Sequence, residues 1–282
     1  MSTDASADGV ISSHIDVQGR RLHVRERRGD KRPFLLVHGL ASNARMWDPV
    51  AALLAAAGHR VVAVDLWGHG QSGPAADGFG HAAVTADLVR LCRRMDLDRP
   101  VLAGQSWGGN VVIHAAASHP SAWHAVAAVD GGWIRLGQRF PDIATAWQQM
   151  APPALAGMRA DDFRRRVAAM VAGWPEGAVE AVMGNVEELV DGTIRPRLAA
   201  GDHRAIVEAL LVEDPAEAWP RITVPVLLLA VRTDLVPGVS TERAVAEARA
   251  AISDARVVWF EGHHDVHLQQ PPAVADALLT LV

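Results

Sequence analysis

The chain has 282 residues, half of them apolar, and carries 27 Lys and Arg against 32 Asp and Glu, a net charge of −5. That balance excludes a disordered or collagen-like chain and offers no basic surface for nucleic acid or an anionic membrane. The single cysteine, Cys92, excludes an internal disulfide framework and a cysteine-built zinc site, and the absence of tyrosine beside nine tryptophans removes every mechanism that needs a phenol.

Met1 to Gly9 is small and polar, without the basic and apolar regions of a signal peptide, and is expected to fray. No uninterrupted apolar run of about 20 residues predicts a membrane span. These features predict a cytoplasmic protein, monomer or homodimer, whose partner is a small molecule. Residues 13–17 and 21–26, broken by Gln18-Gly19, predict an opening hairpin. Apolar runs follow at 34–37, 61–64, 101–103, 125–129, 226–231 and 257–260. Their unbroken apolar character suits strands covered on both faces, as in a parallel sheet. Helical patterns at 45–57, 82–95, 107–118, 240–252 and 271–281 separate them, so an α/β, doubly wound, mostly parallel sheet is expected. In such sheets ligands bind beyond the carboxyl ends of the strands, where this chain gathers its polar residues.

Between Trp133 and Pro220 the alternation stops. This stretch is rich in Ala, Met, Arg and Trp, offers no good strand run, and shows helical pieces near 140–150, 161–173, 176–190 and 203–212. It predicts a helical cap (133–220) inserted into a core made of 1–132 and 221–282.

The central chemical signal is Gly104-Gln105-Ser106-Trp107-Gly108, which follows an apolar run and opens a helix. A serine there sits on a tight strand-to-helix turn, lifted above the sheet, and a Cβ at Gly104 or Gly108 would crowd that turn. A serine hydroxyl needs a base and an orienting acid. Of the 13 histidines, His14, His23, His59 and His203 read as surface or strand-edge residues, and His114, His119 and His124 lie on or after the helix that follows Ser106. His263-His264-Asp265-Val266-His267 is different: it follows the last strand run at a carboxyl end, where an imidazole can swing over Ser106. Asp234 ends the preceding run and completes the chain order Ser, Asp, His; Asp130, at the end of the run before that, is its rival.

With these motifs the chain resembles the α/β-hydrolase family over nearly its whole length. His38-Gly39-Leu40 is similar to the family's oxyanion loop, and Asp65-Leu66-Trp67-Gly68-His69-Gly70-Gln71-Ser72 to its Asp-x-Arg-Gly-x-Gly-x-Ser loop, with Trp67 where many members have Arg. Ser106 matches the nucleophile elbow, Arg232 to Pro237 looks like the acid turn, and Gly262 to Pro271 resembles the histidine loop. The resemblance implies an eight-stranded sheet, the triad Ser106, Asp234 and His264, and an oxyanion hole from the backbone N–H groups of Leu40 and Trp107. It gives His263 and His267 the part of loop supports.

A serine nucleophile implies cleavage of carboxylic esters or lactones through an acyl-enzyme, without cofactor or metal; C–C hydrolysis and perhydrolysis on the same residues are the alternatives. Dehalogenases and epoxide hydrolases of the family use Asp where this chain has Ser106. Trp107, Trp133, Trp147 and Met150 are expected to line a pocket for an apolar acyl substrate of small to medium size. Arg159, Arg164, Arg165, Arg166, Arg195 and Arg197 read as solvated faces, any of which could meet a substrate carboxylate. Two readings of other classes are a metal site on the 263–267 cluster and a ligand receptor with little turnover.

Overall fold

A computed structural model describes residues 4–5, 9–75, 78–232 and 240–282. In chain order its strands are β1 (Asp4–Ala5), β2 (Ile11–Val17), β3 (Arg20–Arg27), β4 (Lys31–Val37), β5 (His59–Val64), β6 (Val101–Gln105), β7 (Ala125–Val129), β8 (Val186–Glu188), β9 (Ile194–Pro196), β10 (Val226–Val231) and β11 (Ala255–Phe260). Nine of them form one sheet in the order β1-β2-β3-β5-β4-β6-β7-β10-β11. The β1–β2, β2–β3 and β3–β5 pairs are antiparallel and the remaining five are parallel. The eight expected strands are present, and the two-residue β1 adds a ninth at the edge, in a segment expected to fray.

The helices are α1 (Asp48–Ala56), α2 (His81–Arg94), α3 (Trp107–Ser118), α4 (Ile143–Met150), α5 (Ala160–Met170), α6 (Ala178–Met183), α7 (Ala200–Val212), α8 (Thr241–Ala251), α9 (Val266–Gln269) and α10 (Pro271–Leu279). Burial shows why the strand runs do not alternate in polarity. Along β4, Leu35 and Val37 join the core that includes residues of α2, α3 and α8, while Phe34 and Leu36 join the opposite core with residues of α1 and α10. Every residue of β6, β7 and β10 is buried. Both faces of these central strands are therefore buried along their length, the signature of a doubly covered sheet.

The stretch from 133 to 220 leaves β7 and returns before β10. It holds α4 to α7, but not helices alone. The helix expected over 176–190 stops at Met183, and β8 pairs antiparallel with β9 in a small separate sheet. Three-residue strands that carry Glu187, Glu188, Arg195 and Pro196 have too little apolar pattern to be read from sequence. Asn110, buried in α3, anchors the departure: its Oδ1 accepts from the N–H groups of Gly132 and Ile134, and its Nδ2 donates to the Ile134 carbonyl.

Candidate active site

Ser106 caps α3 with φ 56° and ψ −120°, a backbone region that L side chains rarely adopt. The turn is held by close packing. A Cβ at Gly104 would stand 2.2 Å from the Gly108 carbonyl oxygen, and one at Gly108 would stand 2.5 Å from that of His38. The first amides of a helix have no partner within it, and among the described residues the Trp107 N–H at the start of α3 makes no hydrogen bond outside it, so it can meet an anion beside the serine. Leu40 lies on the facing loop, where a Cβ on its neighbour Gly39 would come within 2.9 Å of Ser106 Cβ.

That facing loop rests on buried imidazoles. His38 Nδ1 donates to the Gly39 carbonyl (2.7 Å) and its Nε2 accepts from the Leu66 N–H (3.0 Å). His69 Nδ1 donates to the Trp67 carbonyl, and its Nε2 accepts from the Ala41 N–H at 3.3 Å. Both rings are therefore neutral. Burial lowers the His38 pKa and takes that of His69 down to about 3. Asp65 ties the neighbouring turn, accepting from the Ala44 and Gln71 N–H groups at 2.6 and 2.8 Å. At Trp67 the indole N–H donates to Asp87 at 2.7 Å, and the Arg20 guanidinium lies 4.5 Å above its ring.

His264 is the base candidate. Its Nδ1 donates to Asp130 Oδ2 at 2.7 Å, which leaves the Nε2 lone pair for a proton. Burial opposes the charged imidazole, but the hydrogen bond and charge of Asp130, with the charge of Asp265, outweigh it and hold the pKa above the ordinary histidine value. Asp130 is fully buried directly after β7, with φ 44°, and its second oxygen accepts from the Val231 N–H at 3.1 Å. The next residue, Gly131, lies so close to the elbow that a Cβ there would stand 2.2 Å from the Ser106 carbonyl oxygen. The carboxylate seen on His264 is the rival acid, Asp130; the expected acid, Asp234, lies outside the described residues. The strand order explains how Asp130 comes near the elbow: β7, which leads into Asp130, is the direct neighbour of β6, which carries the serine.

Ser106 and His264 line one cleft of about 660 Å³, together with Leu40, Trp107 and Met150. Among the described residues the Ser106 hydroxyl has no hydrogen-bond partner. Contacts of this kind in ligand-free enzymes commonly tighten only when substrate binds. Of the four expected lining residues, Trp107 and Met150 take their places. Trp133 and Trp147 do not. Trp133 turns away after Gly132 (φ 84°) into the main core, and Trp147 packs edge-on against His203, with ring centroids 5.7 Å apart. A helical stretch shows which residues are apolar but not which way the chain rotates them.

The other imidazoles of the loop diverge. His263 meets Trp174 edge-on at 5.1 Å, while His267 is fully buried against Trp47, its centroid 4.5 Å away, and burial takes its pKa down to about 4. Among the described residues no group of three or more His, Cys, Asp or Glu side chains is arranged to hold a metal ion, and no helix is long and apolar enough to cross a membrane. Sequence reasoning missed Gln105. Buried beside the serine, its Nε2 donates to the His264 carbonyl at 3.2 Å and fixes the histidine loop to the elbow.

Residues 34–277 match the family described as "Alpha/beta hydrolase family". A putative non-heme haloperoxidase of Mycobacterium phage D29 is 35% identical over 100 residues, 36% of this chain and 35% of that protein. An epoxide hydrolase of Caballeronia sordidicola is 29% identical over 140 residues, 49% of this chain and 42% of that protein. The chain thus spans only about a third to two fifths of the length of these two relatives. The crystal structure of E-2-(acetamidomethylene)succinate hydrolase shares the fold at 23% identity, with a TM-score of 0.79 over 96% of this chain and 98% of that one. The chain belongs to the alpha/beta hydrolase family.

Proposed function

We propose that the protein is a serine hydrolase that cleaves carboxylic esters or lactones of small to medium apolar substrates through an acyl-enzyme. The observation that carries this reading is the 2.7 Å bond from His264 Nδ1 to Asp130, in a cleft that His264 shares with the strained Ser106. The Ser106 hydroxyl attacks the carbonyl carbon while His264 Nε2 takes its proton, and Asp130 stabilises the imidazolium. The tetrahedral oxyanion is met by the N–H groups of Leu40 and Trp107. His264 then protonates the leaving group, and water reverses the sequence to free the acid. Segment 133–220 acts as the lid of the cleft, to which it contributes Ile134, Leu136, Met150 and Pro152.

The epoxide-hydrolase label of one relative does not carry over. This chain has serine where the family's epoxide hydrolases place a carboxylate, and it has no tyrosine to activate an epoxide. The test is labelling by a fluorophosphonate alongside turnover of an aryl ester. Wild-type protein is expected to label and turn over, and Ser106→Ala to lose the label and about 10⁴–10⁶-fold of the turnover while melting like wild type. Undiminished ester cleavage by the folded variant would overturn the reading.

A further inference from the structure

Six arginines of segment 133–220 read from sequence as solvated faces, and the structure separates them. Arg164 is paired with Glu180, Arg165 with Asp162 and Arg195 with Glu187, while Arg159 donates to the Asp191 carbonyl. Arg166 and Arg197 are left. Among the described residues Arg166 has no partner, and the Arg197 guanidinium reaches only the Gly70 carbonyl, at 3.3 Å. Both line a second cavity of about 290 Å³, whose walls are chiefly Leu155, Phe163, Val167, Met170, Val182 and Leu198. No Asp or Glu among the described residues lines it.

This cavity adjoins the Ser106 cleft. Pro152, Pro153 and His203 line both spaces, and Ala41, next to Leu40 of the facing loop, lines the second. His203 adds no charge to the shared wall. Its Nε2 donates to the Met150 carbonyl at 2.9 Å, and burial holds its pKa below the ordinary histidine value. Apolar walls favour a hydrocarbon, and two exposed guanidiniums that form no ion pair among the described residues favour an anion beside it, although Arg197 also lines a neighbouring cavity with Asp65, Glu180 and Glu188.

We propose that the second cavity receives an apolar arm of the substrate that ends in a carboxylate, with Arg166 and Arg197 as its counter-ions. The substrate class is then the monoester, or equivalent acyl derivative, of a dicarboxylic acid. Its scissile carbonyl lies at Ser106, its chain passes Pro152, Pro153 and His203, and its free carboxylate is held at the arginines. The scissile end of this assignment rests on the serine-hydrolase reading; the anion site rests on the cavity alone.

Two measurements test it. In thermal melts, octanoate is expected to stabilise the wild type and octanamide at equal concentration to do so far less, with the difference gone in the Arg166→Gln/Arg197→Gln variant. In turnover, the mono-4-nitrophenyl ester of octanedioic acid is expected to exceed 4-nitrophenyl octanoate in kcat/KM. That ratio should fall about tenfold in the double variant, chiefly through KM, and recover in part in Arg166→Lys/Arg197→Lys. Arg166→Gln alone, at an exposed and unpaired residue, serves if the double variant folds poorly. Equal melting shifts from octanoate and octanamide in the wild type overturn the assignment, as does a substrate ratio that Arg166→Gln leaves unchanged. A charge-dependent melting shift without turnover of either ester would overturn the serine-hydrolase reading and leave the anion site standing.

Discussion

Among the described residues, Ser12, His23 and Asp65 form a second serine, histidine and aspartate set, better connected than the proposed set of Ser106, His264 and Asp130. Ser12 Oγ lies 2.8 Å from His23 Nε2, and His23 Nδ1 lies 2.7 Å from Asp65. Both links are made, whereas in the Ser106 set only the histidine–aspartate link is made. Yet Ser12 lies within the regular pairing of β2 and β3, where it is opposite Arg25, and His23 is 1% exposed. No helix starts beside Ser12, and His23 has no ring nitrogen left to take a proton from elsewhere. The Ser106 set has the reverse properties: a strained elbow, a helix N-terminus, and an imidazole nitrogen that opens on a cleft. A hydrogen-bonded chain can be simple polar bookkeeping in a folded core. A nucleophile needs, besides its base, room for a substrate and donors for the oxyanion.

The sharpest way to break this contrast is through the acids. Asp130→Asn should lower turnover by about 10⁴-fold, because an amide cannot stabilise the imidazolium and holds the wrong tautomer. Asp234→Asn is the companion measurement: a comparable loss there, with Asp130→Asn near wild type, would return the acid role to Asp234. A smaller effect concerns pH. The neutral form of His264 is the base, and Asp130 raises its pKa above 6.5. Activity is therefore lost as pH falls through that raised value, so the acid limb of kcat/KM should lie above pH 6.5 and move to lower pH in Asp130→Asn. A limb below 6.5 in the wild type would contradict the pairing. The smallest effect belongs to the other set. Ser12→Ala should keep turnover within about twofold and cost about 1 kcal/mol of stability, read by denaturant unfolding and ester assay together. A large activity loss without destabilisation would mean that the two sets have been told apart wrongly.

Much of the fold was legible because it is written in local patterns. The runs at 125–129 and 226–231 coincide with β7 and β10, and the helix at 107–118 with α3. That Ser106 and His264 would face one cleft was legible for the same reason, each being set by a few neighbouring residues. The carboxylate beside His264 was not: Asp130 and Asp234 both follow apolar runs in the sequence, and the bond from His264 to Asp130 shows only once β7 is laid beside β6. His23 and His203 read as surface or strand-edge residues and are 1% and 6% exposed, because their ring nitrogens find Asp65 and the Met150 carbonyl across long stretches of chain. Trp133 and Trp147 missed the cleft for a related reason: composition states that a tryptophan must be buried, not on which side.

Ala41, Ser106 and Asp130 all have positive φ, at 54°, 56° and 44°, although none is glycine. Each such conformation costs roughly 1–3 kcal/mol relative to an unstrained residue. Selection for heat tolerance alone would therefore drift toward glycine at all three positions. If 106 and 130 carry the proposed chemistry, the hardier descendants there would be inert, so an evolving population could gain robustness at those positions only by abandoning that chemistry.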